Sequence, residues 1–223
     1  MITIVICTRK SKDEWLETKF ADFVSGTSHV IFYENTKGLS ERYNEVLDYK
    51  CAQNDDNIFI MMHDDITINM ESDDWNIFEE NLSKLEKILE ESEFDIMGLA
   101  GTSSWTLKSP AVWHNSDKSK WSGLVRHSHQ GKEWDTNFGP IGKRCIIVDG
   151  LFIAAKVKVF KDVKFDPQFT FHHYDMDFCL SAHQKGYTIG TVPIDVTHYS
   201  VGDFRNDPVW HESEKLFIEK WSK

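Results

Sequence analysis

Cysteine and proline are scarce in this chain: four cysteines and five prolines in 223 residues, with no two cysteines in a C-x-x-C pair. Cys7, Cys51, Cys145 and Cys179 each stand among apolar neighbours. Their spacing excludes a disulfide framework and predicts buried free thiols in a reducing compartment. No apolar run approaches the length of a membrane span, and the first one, Ile2 to Cys7, lacks a preceding basic region and is shorter than a signal-peptide core. The expectation is a soluble, cytoplasmic protein. Positive charge is in deficit, 25 Lys and Arg against 36 Asp and Glu, for a formal net charge of −11. That balance argues against a general binder of nucleic acid or anionic membranes, because both need a basic face to replace condensed counterions. Glycine-rich phosphate loops are missing as well. The turn after the first apolar run reads Cys7-Thr8-Arg9-Lys10-Ser11-Lys12, with neither G-x-G-x-x-G nor a Walker sequence anywhere near it. If a nucleotide binds, its phosphates must be held by a metal and by side chains.

What is present is a globular composition, 40% hydrophobic with eight Trp and fifteen Phe, in a length that suits one large domain. The chain is organised around Ile58 to Ile68. Five apolar residues, Ile58 to Met62, predict a strand buried on both faces, and they run directly into His63, Asp64 and Asp65. Three ionisable groups at the carboxyl edge of a sheet stand where open α/β folds place ligands, and a hard cation would relieve the repulsion between adjacent carboxylates. A capped strand end with a solvated turn is the alternative reading. Around this strand the pattern predicts strands at Ile2 to Cys7, His29 to Glu34 and Phe94 to Ala100. Helices follow Ser11, whose Glu14 completes a capping box, and run to Gly26, over Ser40 to Cys51, and over Asp73 to Glu91. In the last of these Trp75, Phe78, Leu82, Leu85 and Leu89 recur at helical period and predict core. Strands joined by helical crossovers imply a parallel, doubly covered sheet.

The second half reads differently. Gly101 to Arg144 has few periodic apolar runs but holds Trp105, Trp113, Trp121 and Trp134, and is expected as a long loop. Those tryptophans read either as a platform for sugar rings or as a satellite cluster that pins the loop. Cys145 to Asp149, Gly150 and Leu151 to Lys156 predict a strand pair with an acid and a glycine at the bend. Asp175 and Asp177 stand at a helix start, where simple capping also explains them. Thr188 to Val192 and Asp195 to Ser200, the latter carrying His198, are expected as edge strands. Pro208 to Trp221 closes the chain as a helix with Trp210, Phe217 and Trp221 on its apolar side.

The order of these pieces resembles a nucleotide-sugar glycosyltransferase of the GT-A fold, in the small bacterial and phage branch of the family-two-like transferases. The segments that carry the resemblance are Ile6 to Arg9, Leu39 to Asn44, Phe59 to Asp65, Val148 to Phe152, Phe171 to Phe178 and Thr197 to Gly202. The resemblance implies a GT-A, Rossmann-like sandwich with a mostly parallel central sheet. It also implies a single domain over 1–223, with a nucleotide-binding half at 1–100 and an acceptor-binding, catalytic half at 101–223. It assigns the Asp-x-Asp metal motif to His63-Asp64-Asp65, departing at its first acid, so that Asp65 is the metal ligand, with His198 as the distal contact and His63 beside them. Thr8, Arg9, Glu34, Asn44, Asp64 and Gly150 fall at nucleotide-sugar positions, and Trp105, Trp113, Trp121 and Trp134 on the acceptor side. Asp175 falls at the catalytic base of inverting members, with Asp177 and then Asp149 as alternatives. The activity implied is transfer of a sugar from a nucleoside diphosphate sugar, in the first instance a UDP-sugar, to a glycan or other hydroxyl acceptor with Mn²⁺ or Mg²⁺ as cofactor. A binding protein of the same fold without turnover, kept open by His63, and a divalent-metal hydrolase are the other readings.

Overall fold

The computed structural model describes residues 1–69, 75–200 and 206–222. The first strand, β1 (Ile2–Cys7), is buried at every position and is followed by α1 (Lys12–Leu16) and α2 (Lys19–Ser25). The Ser11–Glu14 capping box forms as its spacing predicts. The single helix expected to Gly26 is instead two. Thr18 adopts extended backbone, and both its hydroxyl and its N–H donate to the Trp15 carbonyl, which closes α1 locally. β2 (His29–Phe32), α3 (Leu39–Glu45), β3 (Ile58–Met62) and β4 (Ile66–Ile68) come next. Then follow α4 (Trp75–Glu90), β5 (Ile96–Gly98) and β6 (Ala100–Thr102). The expected core positions Leu85 and Leu89 are buried. The side chains of Trp75 and Phe78, and residue Gly202, lie outside the described residues.

Beyond β6 the segment expected as a long loop is built largely on a hairpin, β7 (Trp121–His129) and β8 (Lys132–Gly139). Local pattern concealed it because β8 is mostly exposed and carries just two large apolar residues, Trp134 and Phe138, too few for alternation to mark a strand. The chain continues through β9 (Arg144–Cys145), β10 (Ile147–Val148), β11 (Phe152–Lys156), α5 (Val157–Val163) and α6 (Tyr174–Gln184). It ends with β12 (Ile189–Thr191), β13 (Val196–His198) and α7 (Pro208–Trp221).

Two sheets result. The seven-stranded one runs β2-β1-β3-β11-β5-β12-β9. β2, β1, β3, β5 and β12 point one way, while β11 and β9 are reversed. The sheet is therefore mixed, with most of its strands pointing one way as the mostly parallel expectation has it and with β11 and β9 reversed. The second sheet runs β10-β6-β7-β13-β4, with β8 paired to β7. β12 and β13 are interior rather than edge strands, since each has neighbours on both sides that come from distant parts of the sequence. No described helix is long and apolar enough to cross a membrane.

Two features of this topology make the site. The chain leaves the first sheet at Met62 and enters the second at Ile66, so His63, Asp64 and Asp65 form the turn that bridges the sheets. The reversed β11 pairs its first residue, Phe152, with Met62 at the end of β3. That reversal lays the Asp149-Gly150 bend beside the same turn, and His63 N–H donates to the Leu151 carbonyl at 3.1 Å.

Candidate active site

Asp65 meets His198 because β4 and β13 pair antiparallel, with Ile66 opposite His198 and the Tyr199 N–H bonded to the Asp65 carbonyl. His198 Nε2 lies 3.4 Å from Asp65 Oδ2. One ligand atom each from His63, Asp65 and His198 falls within 4.8 Å of the others. Asp65 Oδ1 and His198 Nδ1 are buried without a hydrogen-bond partner. Buried polar atoms without a partner are uncommon and call for a missing ion or water. Burial would raise the Asp65 carboxyl, but the contact and charge of His198, together with His63, outweigh it and hold the group below its usual range. Burial would likewise lower His198, and Asp65 reverses that and raises it. His63 is lowered because its own burial prevails over the charges of Asp65 and Asp149. The donor set fits a divalent cation: one carboxylate and two imidazoles converge, with a negative group to neutralise the charge.

The second half of the site hangs on Gly150. Its N–H donates to Asp175 Oδ2 at 2.8 Å, and its carbonyl accepts from the Tyr174 hydroxyl at 2.7 Å. A Cβ at position 150 would stand 2.5 Å from the Tyr174 oxygen and 2.9 Å from Asp175 Cβ, so only glycine lets α6 approach the bend this closely. Asp149 accepts from Trp113 Nε1 at 2.8 Å and from the Leu151 N–H at 3.0 Å. Loss of water around Asp175, with the Asp149 charge beside it, pushes its pKa up to about 7. Tyr174 also touches His63, its oxygen 3.0 Å from Nε2, and so links the two halves. An open cavity lined by Cys7, Leu39, Tyr43, His63, Asp65 and Phe171 lies in front of them. Phe171, 47% exposed, stacks over the His63 ring.

Among the residues expected at the nucleotide sugar, Thr8 and Asp64 come together: the Thr8 hydroxyl donates to Asp64 Oδ2 at 2.6 Å, and Lys10 Nζ reaches the same oxygen at 3.0 Å. Arg9 and Glu34 are exposed, and the Glu34 N–H is tied to the Lys10 carbonyl. Asn44 departs from its expected place. Its amide donates to the Phe165 carbonyl and accepts from the Phe165 N–H, so both of its functions clamp main chain. Asp177 departs too. Its 2% exposed side chain accepts from Lys220 at 2.7 Å and Trp221 at 3.0 Å, which ties α6 to the terminal helix on the side away from Asp149.

The four tryptophans divide. Trp113 is buried beneath Asp149, and Trp105 packs edge-on against Phe217. Trp121 clusters with Trp113 and Phe138 and donates to Ser116. Trp134 alone of the four is exposed, at 39%, and it stacks on His127, which in turn lies against His198. Of the four, only Trp134 keeps an exposed face, because Trp105 packs on Phe217, Trp113 lies against Asp149 and Trp121 is held in the aromatic cluster. Sequence reasoning missed Lys10, Phe171 and Tyr174 as neighbours of the site. Tyr174 alone carried a signal, an aromatic next to the acid it supports.

The model of a glycosyltransferase-like family matches residues 26–223. No curated protein matches the chain. Among solved structures, A197 from STIV is similar over 89% of this chain and 82% of its own, at 12% identity and a TM-score of 0.43.

Proposed function

The chain belongs to the glycosyltransferase-like family, and from that premise we propose that it transfers a sugar from a nucleoside diphosphate sugar to an acceptor hydroxyl with inversion at the anomeric carbon. The observation that carries this reading is the convergence, across Tyr174 and Gly150, of a cation-ready cluster at His63, Asp65 and His198 with a carboxyl at Asp175 whose pKa is about 7. In this reading the nucleoside lies along 1–100, beside Thr8, Asp64 and Lys10, and the acceptor approaches from the 101–223 half past Trp134.

Asp65, His198 and His63 would hold a divalent cation, which supplies charge stabilisation to a departing diphosphate. Asp175 removes the proton from the attacking hydroxyl. A base near neutrality balances the fraction ionised against its proton affinity, and burial beside Asp149 tunes it there. Gly150 orients Asp175 by donating its N–H to the oxygen Oδ2, and Trp113 holds Asp149 as its charged neighbour. Asp177 serves the fold in this scheme, through Lys220 and Trp221. The test is a panel of UDP-, GDP-, ADP- and dTDP-sugars, with and without Mn²⁺ or Mg²⁺, read as donor hydrolysis without acceptor and as transfer with a mixed glycan acceptor set. Cation-dependent release of nucleoside diphosphate from one donor class is expected. Donor binding without turnover would favour a binding protein, and hydrolysis of simple phosphate esters a hydrolase.

A further inference from the structure

The Tyr174 hydroxyl has one proton, and it is donated to the Gly150 carbonyl, a group that only accepts. The same oxygen lies 3.0 Å from His63 Nε2. With its proton already committed, the Tyr174 oxygen meets the imidazole as an acceptor, so Nε2 carries the hydrogen. In the neutral ring, the form that can ligate a cation, Nδ1 then carries the lone pair. Tyr174 has little freedom to change this arrangement. It is 3% exposed, its ring packs against Tyr43 and Phe165, and its hydroxyl occupies the space that a Cβ on residue 150 would take. On its other side Phe171 stacks over the His63 ring at an interplanar angle of 18°. The imidazole is thus fixed both in orientation and in tautomer.

We propose that Tyr174 is a positioning residue that presents His63 to a cation through Nδ1, and that the site so formed takes a borderline first-row transition ion in preference to Mg²⁺. The inference rests on the cation site of the reading above and adds what kind of ion it accepts. Two imidazoles and one carboxylate converge there, and the orphaned Asp65 Oδ1 and His198 Nδ1 are an independent sign of a missing partner. Mg²⁺ is a hard ion that favours oxygen ligands in regular octahedra, whereas imidazole suits Zn²⁺, Co²⁺ and their neighbours. A histidine at the first position of the strand-end triplet moves the site toward the second group. The outer hydrogen bond from Nε2–H to Tyr174 is the kind of contact that sets ligand basicity and orientation.

The tautomer is read without any metal, from two-bond proton–nitrogen correlation spectra of the metal-free chain, with His63 assigned by its loss in His63→Gln. A neutral His63 protonated at Nε2 is expected, and a mixture of tautomers in Tyr174→Phe. Competition against a chromophoric chelator then gives cation affinities for the full chain. Zn²⁺ and Co²⁺ should bind about a hundredfold or more tighter than Mg²⁺. Tyr174→Phe should weaken Co²⁺ binding about 10- to 100-fold. His63→Asp should narrow the preference over Mg²⁺ by about tenfold. An Nδ1-protonated His63 in the wild-type chain, Co²⁺ affinity unchanged in His63→Gln, or Mg²⁺ binding as tight as Co²⁺ overturns the proposal, and none of these needs Tyr174→Phe to fold. Failure of the transferase reading looks different: Co²⁺ would bind as described while no nucleoside diphosphate sugar is turned over. Transfer that proceeds equally well in chelator, with no Co²⁺ held by the chain in the competition assay, would instead sink this proposal and leave the transferase reading standing.

Discussion

Asp175→Asn should make the protein more stable and less active at once. The wild-type carboxyl has a folded-state pKa of about 7 against an ordinary value of 3.8, raised by loss of water and by Asp149. The folded state therefore keeps a proton that the unfolded chain releases, and stability falls as pH rises from about 4 through about 7. Once the group is ionised, that difference corresponds to a penalty of about 4 kcal/mol. Asparagine can still accept from the Gly150 N–H but cannot ionise, so the penalty disappears. At pH 8 the variant should be more stable by roughly 2–4 kcal/mol, a rise in melting temperature on the order of 10 °C for a chain of this size. At pH 4 the two proteins should melt together. Transfer should fall about a hundredfold or more in the variant, and the wild-type rate should climb as pH passes 7 and the base loses its proton. Urea or thermal melts across pH 4–9, paired with initial rates at saturating donor, measure both. A stability gain that does not depend on pH would refute the ionisation argument. Near-normal turnover would move the base elsewhere, first to Asp149.

Asp177→Asn should show the opposite pairing, because its buried carboxylate holds Lys220 and Trp221. A loss of about 2 kcal/mol in denaturant melts is expected, with turnover within a few-fold of wild type. Trp113→Phe removes the Nε1–H donated to Asp149 and leaves that carboxylate short of a partner. Transfer should drop about tenfold, with donor affinity in calorimetry unchanged. Gly150→Ala places a methyl 2.5 Å from the Tyr174 oxygen and should displace both Tyr174 and Asp175. Both cation affinity and turnover should fall together, and loss of only one would break the link drawn through Tyr174.

Much of the fold is written locally. The all-apolar runs of β1 and β3 predict buried strands, the Ser11–Glu14 pair predicts the start of α1, and Pro208 to Trp221 matches α7 from end to end. The placement of His63, Asp64 and Asp65 at the end of β3 is also legible, since a buried strand can end in ionisable groups only where it leaves the sheet. Periodicity reports which face of an element is buried, however, and says nothing of its direction or of its partners. The reversal of β11, the pairing of β13 with β4 that delivers His198 to Asp65, and the β7–β8 hairpin all join segments whose partners lie far away or, in β8, whose residues are mostly polar and exposed. The same limit explains Asp175 and Asp177. Two residues apart at a helix start, they look interchangeable in sequence, but a helix advances about 100° per residue. That rotation turns Asp175 toward the Gly150 bend and Asp177 toward Lys220 of α7. Residue types and their order were settled by the sequence alone. Which carboxylate reaches the Gly150 bend and which the terminal helix was decided only when two sheets and α7 closed around α6.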